Sequence, residues 1–194
     1  MITCEYEMQT MDLAVTSPIS NTPPWLFPEA KIDLNILEKK GDWQAEDVGA
    51  QTHVYLRERY GIYLQIFTDG SKDKEHRVGV GVYIPEFKVS IAKRMPDYLS
   101  VYSAEAVAII TGLQWVEEVR PDRVVVCTDS LAVLKSLQTE KSVREDLIIE
   151  IKQYLIGLQR GGMEVQFCWV PAHKGLAGNE GADKLAKKAL QQQI

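Results

Sequence analysis

Apolar residues along this chain fall into short runs that are separated by polar, glycine-containing or proline-containing turns. Runs of this length and composition predict five β-strands, at residues 63–68, 78–84, 88–94, 123–128 and 164–170. Short turns join the first three runs, so these strands are expected to form an antiparallel meander.

The segments between and after the later strands repeat their apolar residues at helical spacing. They predict helices from about residue 100 to Pro121, over 131–137, from a Ser142–Glu145 capping box to Gly161, and after Asn179 as a helix N-cap. Farther upstream, a more diluted pattern predicts an amphipathic helix near residues 45–60.

This order of elements predicts an α/β fold with a mixed five-stranded sheet flanked by helices. A right-handed crossover from the meander would place the fourth strand beside the first and parallel to it. The carboxyl ends of these two strands would then meet at one edge of the sheet, where open α/β folds keep their binding sites.

Four acidic residues lie at the predicted element boundaries: Asp69, Glu105, Asp129 and Asp183. An aspartate at a strand end is commonly a turn former or a helix cap. Here, however, Asp69 and Asp129 both follow an apolar run and a threonine. Carboxylates that converge at one edge repel one another unless a cation neutralises them. The pattern therefore predicts a divalent metal site.

Composition fits one globular core with an extension. The chain has 194 residues, of which 45% are hydrophobic. Four of its eight prolines precede residue 30, so residues 1–61 are predicted to be a linker or connector and residues 62–194 a folded domain. There is no long apolar run and no secretory leader, which predicts an intracellular protein that is neither membrane-spanning nor secreted.

The net charge of −5 does not exclude a nucleic-acid partner. Residues 1–60 carry 5 basic and 10 acidic residues, which account for the whole excess, whereas residues 61–194 carry 17 of each. Setting aside the four candidate metal ligands leaves this second part mildly positive outside the site. Such a surface permits phosphate binding without requiring it.

Four motifs in this order resemble the type 1 ribonuclease H family: Thr68-Asp-Gly-Ser71, Ser103-Ala-Glu-Ala106, Thr128-Asp-Ser130 and the segment from Trp169 through His173 to Asp183. The resemblance is good over about residues 62–190 and looser over residues 23–61. Within the family, the chain is most similar to the ribonuclease H domain of non-LTR retrotransposon reverse transcriptases.

The resemblance implies a two-metal endonuclease that cuts the RNA strand of RNA/DNA hybrids, with two Mg²⁺ ions, or Mn²⁺ as a substitute. It implies that Asp69 bridges the two ions, that Asp183 holds the ion bearing the attacking water, and that Glu105 and Asp129 hold the other. His173 would assist proton transfer or product departure. Oxygen ligands are those that such hard cations prefer.

Substrate contacts are implied for four serines, which are Ser71, Ser100, Ser103 and Ser130. Leu131 departs from the glutamine common at this position in cellular relatives, and the basic, tryptophan-rich helix of some relatives is missing between Leu137 and Ser142. The first departure predicts the loss of one minor-groove contact. The missing helix predicts weak intrinsic affinity for the hybrid, compensated by a reverse transcriptase domain tethered in cis.

Two alternatives remain open. The first is a catalytically silent ribonuclease H fold that binds hybrids or connects domains, although four retained acids argue against it. The second is an integrase-like or resolvase-like nuclease that acts on DNA, although the His173-to-Asp183 motif is foreign to that group. The choice of substrate would distinguish all three functions.

Overall fold

A computed structural model of the chain describes residue 27, residues 29–139 and residues 144–193. Its strands are β1 (Ile32–Asp33), β2 (Leu64–Lys72), β3 (Val78–Ile84), β4 (Val89–Met95), β5 (Arg123–Thr128) and β6 (Glu164–Trp169). They form one mixed sheet in the order β1-β6-β5-β2-β3-β4. The helices are α1 (Asn35–Lys39), α2 (Val48–Tyr60), α3 (Val101–Val119), α4 (Leu131–Gln138), α5 (Glu145–Arg160) and α6 (Ala177–Ala189).

The predicted topology is confirmed, with one strand added. β2, β3 and β4 form the antiparallel meander, and β5 pairs with β2 in parallel. The sixth strand is β1, which pairs in parallel with β6 at the edge of the sheet. A strand of two residues is too short to produce an alternating pattern, so β1 could not be predicted from the sequence.

Strand β2 is longer than predicted. It continues to Lys72, which pairs with Val78 of β3, whereas its pairing with β5 stops at Thr68 and Thr128. Asp69 therefore lies within a strand rather than after its end. It still occupies the first position beyond the parallel pairing, so its carboxylate remains at the edge of the sheet.

Helices cover both faces of the sheet. A Cβ atom on Gly112 of α3 would touch Ile66 and Val82, whereas one on Gly178 of α6 would strike the ring of Phe67. Because side chains alternate along a strand, α3 and α6 lie on opposite faces. α5 packs against α3. The apolar residues between these layers form the core.

One predicted helix start is wrong, and another lies partly outside the described residues. Asn179 is not the N-cap of α6, because the helix already begins at Ala177 and Asn179 is buried inside its first turn. Ser142, the first residue of the predicted capping box, lies outside the described residues, and α5 begins at Glu145. Cys4 and the rest of residues 1–28 except residue 27 also lie outside them.

The upstream helix α2 buries a single face, which carries residues spaced by four positions: Val48, Thr52, Leu56 and Tyr60. The division of the chain at residue 61 stays a prediction.

Cys127 and Cys168 are buried free thiols. No helix among the described residues is both long and apolar enough to cross a membrane.

Candidate metal centre

Three predicted carboxylates converge at the edge of the sheet. Asp69 follows the last residue of β2 that pairs with β5, and Asp129 directly follows β5. Glu105 reaches them from the second turn of α3. One ligand oxygen from each of the three lies within 4.8 Å of the others. The strand order that brings β2 beside β5 is therefore also what brings the acids together.

Glu105 reaches the edge because α3 crosses β2 at unusually close range. A Cβ atom on Gly70 would lie 2.5 Å from the Glu105 backbone nitrogen and 2.7 Å from the Ala104 carbonyl carbon, so this contact requires glycine. The Gly70 backbone N–H acts on the Glu105 carboxylate so as to lower its pKa, against the larger effect of burial. At the start of α3, Ser100 accepts a hydrogen bond from the Ser103 N–H, which caps the helix.

Burial and mutual repulsion make these acids difficult to ionise. Asp69 is 7% exposed and Glu105 is 8% exposed. Desolvation, followed by the charges of Asp129 and Asp183, raises the pKa of Asp69 to about 7. Desolvation and the charge of Asp69 raise the pKa of Glu105 well above its usual range. Desolvation also raises the pKa of Asp129.

The fourth carboxylate, Asp183, lies beside the other three but belongs to a second group of potential ligands. Ligand atoms of Asp183, His173 and Glu180 lie within 4.8 Å of one another. The Lys187 ammonium, one turn farther along α6, is 2.8 Å from Asp183 Oδ2 and forms an ion pair with it. A basic side chain thus already balances part of the negative charge at this position.

Two neighbours hold Asp129 in place. Asn179 Nδ2 donates a hydrogen bond to Asp129 Oδ2 at 3.2 Å, and the indole N–H of Trp169 donates to the Asp129 backbone carbonyl at 3.1 Å. The hydrogen bond from Asn179 and the charge of His173 both act against desolvation and lower the pKa of Asp129. The side chain and the backbone of Asp129 are therefore oriented separately.

The donor set fits a hard divalent cation. Three carboxylates converge, no thiol lies among them, and the buried Glu105 Oε2 has no hydrogen-bond partner within the described structure. A buried carboxylate oxygen without a donor is costly, and a cation at this point would remove that cost.

A family model for RNase H matches residues 62–191. This chain belongs to the RNase H family. Ribonuclease H1 of Homo sapiens is 26% identical over 165 residues, which cover 76% of this chain and 56% of the human protein. Ribonuclease H1 of Mus musculus is 24% identical over 156 residues, which cover 75% of this chain and 55% of the mouse protein.

The fold of the RNase H family also appears in the structural comparison. The crystal structure of RNase H1 from the archaeon Halobacterium salinarum NRC-1 matches with a TM-score of 0.50 at 21% identity, covering 66% of this chain and 97% of the archaeal chain. This likeness shows a shared fold. The chain spans just over half the length of the two mammalian relatives.

The four serines that the RNase H resemblance suggested occupy different surroundings. Ser71 and Ser130 are half-buried near the carboxylates, and Ser100 is exposed at the start of α3. Ser103 is 1% exposed, and its hydroxyl contacts Ser100 Oγ at 3.0 Å and accepts a hydrogen bond from Arg144 Nη1 at 2.8 Å. A direct contact between Ser103 and substrate would have to displace these partners.

Asn179 and Lys187 were not among the predicted site residues. Both lie on the same face of α6 as Asp183, at intervals of four residues. Polar residues at 179, 183 and 187 were a readable signal, since positions four apart in a helix are neighbours. The signal was hidden because the family motif ends at Asp183 and because Asn179 was assigned to a helix cap.

Proposed function

We propose that this chain is a metal-dependent endonuclease that hydrolyses the RNA strand of RNA/DNA hybrids. The observation that carries the proposal is the group formed by Asp69, Glu105 and Asp129, with an unpartnered Glu105 oxygen buried inside it. Membership of the RNase H family and similarity to proteins named ribonuclease H1 support this choice of reaction.

Asp69, Glu105, Asp129 and Asp183 would hold two Mg²⁺ ions, for which Mn²⁺ could substitute. Ions bound there would supply a water nucleophile at neutral pH and charge stabilisation for the scissile phosphate and its leaving oxygen. The protein's contribution is orientation: Gly70 lets α3 come close enough to place Glu105, while Asn179 and Trp169 orient Asp129.

His173 is suited to move a proton near Asp183. It lies in the exposed loop between β6 and α6, and a ring nitrogen is within 4.8 Å of a carboxylate oxygen of Asp183. An exposed imidazole at this distance can exchange protons with solvent and with the reacting groups. The role proposed for it is proton transfer or departure of the product.

Substrate selection would rest on the shape of the hybrid, with 2′-hydroxyls on one strand and DNA phosphates on the other. Ser71, Ser100 and Ser130 would make such contacts, whereas the buried Ser103, whose hydroxyl contacts Ser100 Oγ, would support Ser100. We expect weak affinity for the hybrid when the chain acts alone. Support comes from leucine at position 131, where cellular relatives commonly have glutamine, and from the lack of a basic, tryptophan-rich sequence after Leu137.

We also propose that the chain is the RNase H portion of an intracellular non-LTR retrotransposon polyprotein, tethered in cis to a reverse transcriptase domain. The support is the sequence resemblance, which extends loosely from Pro23 to residue 61. Joining the chain to such a domain should raise the effective concentration of hybrid at the site. The fusion should therefore lower KM for hybrid cleavage, and an unchanged KM would count against tethering.

The function is tested with the full chain and strand-labelled RNA/DNA hybrid, duplex DNA and duplex RNA in Mg²⁺, beside Asp129→Asn and the exposed control Asp122→Asn. We expect cutting of the RNA strand of the hybrid by the native chain and by Asp122→Asn, and none by Asp129→Asn. Cutting of duplex DNA would indicate an integrase-like nuclease. Hybrid binding without cutting would indicate a silent binding module.

A further inference from the structure

The described residues ahead of the RNase H match, 29–61, pack against the strand that leads into the His173 loop. Here the His173 loop means residues 170–176, between β6 and α6. β1 pairs with the end of β6, where Ile32 is the register partner of Phe167 and the Phe167 N–H donates to the Lys31 carbonyl at 2.8 Å. The loop thus leaves the sheet from a strand whose outer edge is covered by this upstream segment.

The contact continues into the loop itself through Gly49, in the first turn of α2. A Cβ atom on Gly49 would lie 1.7 Å from the Lys174 carbonyl oxygen and 2.9 Å from its carbonyl carbon. Gly49 is buried, whereas Lys174 and His173 are exposed on their other sides. The backbone of α2 therefore packs against the buried side of the loop at Lys174, the residue next to His173.

This contact matters because two residues of the loop have positive φ angles. His173 has φ 51°, and Gly175 has φ 73°. A non-glycine residue in the left-handed region persists when surrounding contacts hold it there. The contact at Lys174, between these two residues, is in position to do so.

Helix α2 is held to β1 by two hydrogen bonds. The hydroxyls of Tyr55 and Tyr60 both donate to Asp33 Oδ2 at 2.7 Å, which ties the helix to β1. Leu56 and Val48 are buried beneath it. When a side chain at position 49 forces α2 and the loop apart, we therefore expect the exposed loop to move.

We propose that Gly49 is a positioning residue for His173: it lets α2 support the Lys174 carbonyl, and this contact fixes the imidazole beside Asp183. The segment 29–61 is on this account a working part of the site rather than a passive connector. The consequence for activity rests on the proposed function, whereas the consequence for the position of His173 does not.

The test compares Gly49→Ala with Gly41→Ala in the full chain. Gly41 lies in the same segment, and a Cβ atom there would meet nothing within 4 Å. The position of His173 is followed by NMR of ¹³C-labelled histidine rings, which number three, with the His173 signal assigned by its loss in His173→Ala. We expect the His173 ring signals to shift in Gly49→Ala and to stay in place in Gly41→Ala.

Hybrid cleavage supplies the second readout. Gly49→Ala should lower kcat about tenfold with KM changed by less than about twofold, since it displaces a catalytic group without touching substrate contacts. In a His173→Ala background it should change kcat by less than about twofold, since the group being positioned is gone. Equal losses in both backgrounds would overturn the positioning role.

A milder variant covers the case in which Gly49→Ala does not fold. Tyr55→Phe removes one of the two hydroxyls that hold α2 to β1, with no steric clash, and should shift the His173 signals by a smaller amount. Unmoved His173 signals in Tyr55→Phe and in any folded Gly49→Ala would refute the proposal. If the native chain cuts no hybrid, the proposed function fails, and the NMR comparison still decides whether Gly49 positions His173.

Discussion

Replacing Asp69 by asparagine should stabilise the metal-free protein at pH 8. Asp69 is buried, and desolvation and the charges of Asp129 and Asp183 raise its pKa from 3.8 to about 7. The folded state then binds more protons than the unfolded state between about pH 4 and pH 7, so stability falls as pH rises through this window. A difference of about three pKa units corresponds to about 4 kcal/mol lost by pH 8.

Asparagine has nearly the same shape and no charge, but its amide must still be buried. We therefore expect Asp69→Asn to unfold with a free energy about 2 to 4 kcal/mol larger than the native chain at pH 8 in EDTA. At pH 4 the difference should be smaller by about 3 to 4 kcal/mol, because Asp69 is then largely protonated in the folded state. Mg²⁺ should stabilise the native chain more than the variant.

The assay is urea unfolding followed by circular dichroism at several pH values, with EDTA or with Mg²⁺. The difference between variant and native chain is the informative quantity, because titrating groups far from the site contribute equally to both. The loss of the Asp69 charge also makes Glu105 easier to ionise, which adds to the stabilisation of the variant at pH 8. Asp122→Asn is the matched control, since it makes the same change at an exposed residue. A variant less stable than the native chain at pH 8 in EDTA, or a difference independent of pH, would refute the reasoning.

Three further substitutions test the surroundings of the site. Lys187→Met should raise Mg²⁺ affinity by up to about fivefold in calorimetric titration, because the ammonium no longer competes for Asp183; weaker binding would contradict this. Asn179→Ala should slow hybrid cleavage about tenfold, because Asp129 loses the side-chain donor that orients it, and an unchanged rate would refute this orienting role. Its free energy of unfolding should change by less than about 1 kcal/mol, because the variant also loses the buried Asn179 oxygen that has no hydrogen-bond partner. Gly70→Ala should cost about 2 to 3 kcal/mol in urea unfolding, because its Cβ would collide with the backbone of α3 at Glu105; unaltered stability would show that α3 can move away.

Much of the fold could be predicted because its signals are local. Apolar runs and short turns indicated the meander, and the handedness of crossovers placed β5 beside β2, so that Asp69 and Asp129 were expected to converge. Strand β1 was not predicted, because its two residues are too few to form a pattern. It is stabilised by pairing with β6, which lies more than 130 positions later in the chain.

The missed parts of the site depend on non-local contacts. Asn179 meets Asp129 across 50 residues, and Gly49 meets Lys174 across a still longer separation. Helical spacing could have placed Asn179 on the face of Asp183, but it could not show that Asn179 meets Asp129. Nothing next to Gly49 in the sequence distinguishes it from an ordinary helical position. Lys187 differs, because its pairing with Asp183 one turn away follows from helix geometry and could have been predicted.

The most direct test of the central claim measures the rate at which the RNA strand of a labelled hybrid is cut as Mg²⁺ is raised, for the native chain and Glu105→Gln. Glutamine keeps the length of the side chain but removes the charge from the buried oxygen that has no partner. The account predicts Mg²⁺-dependent cutting of the RNA strand by the native chain, and a loss of at least about a hundredfold in the variant. Equal rates for the two proteins, or cutting that persists in EDTA, would contradict it.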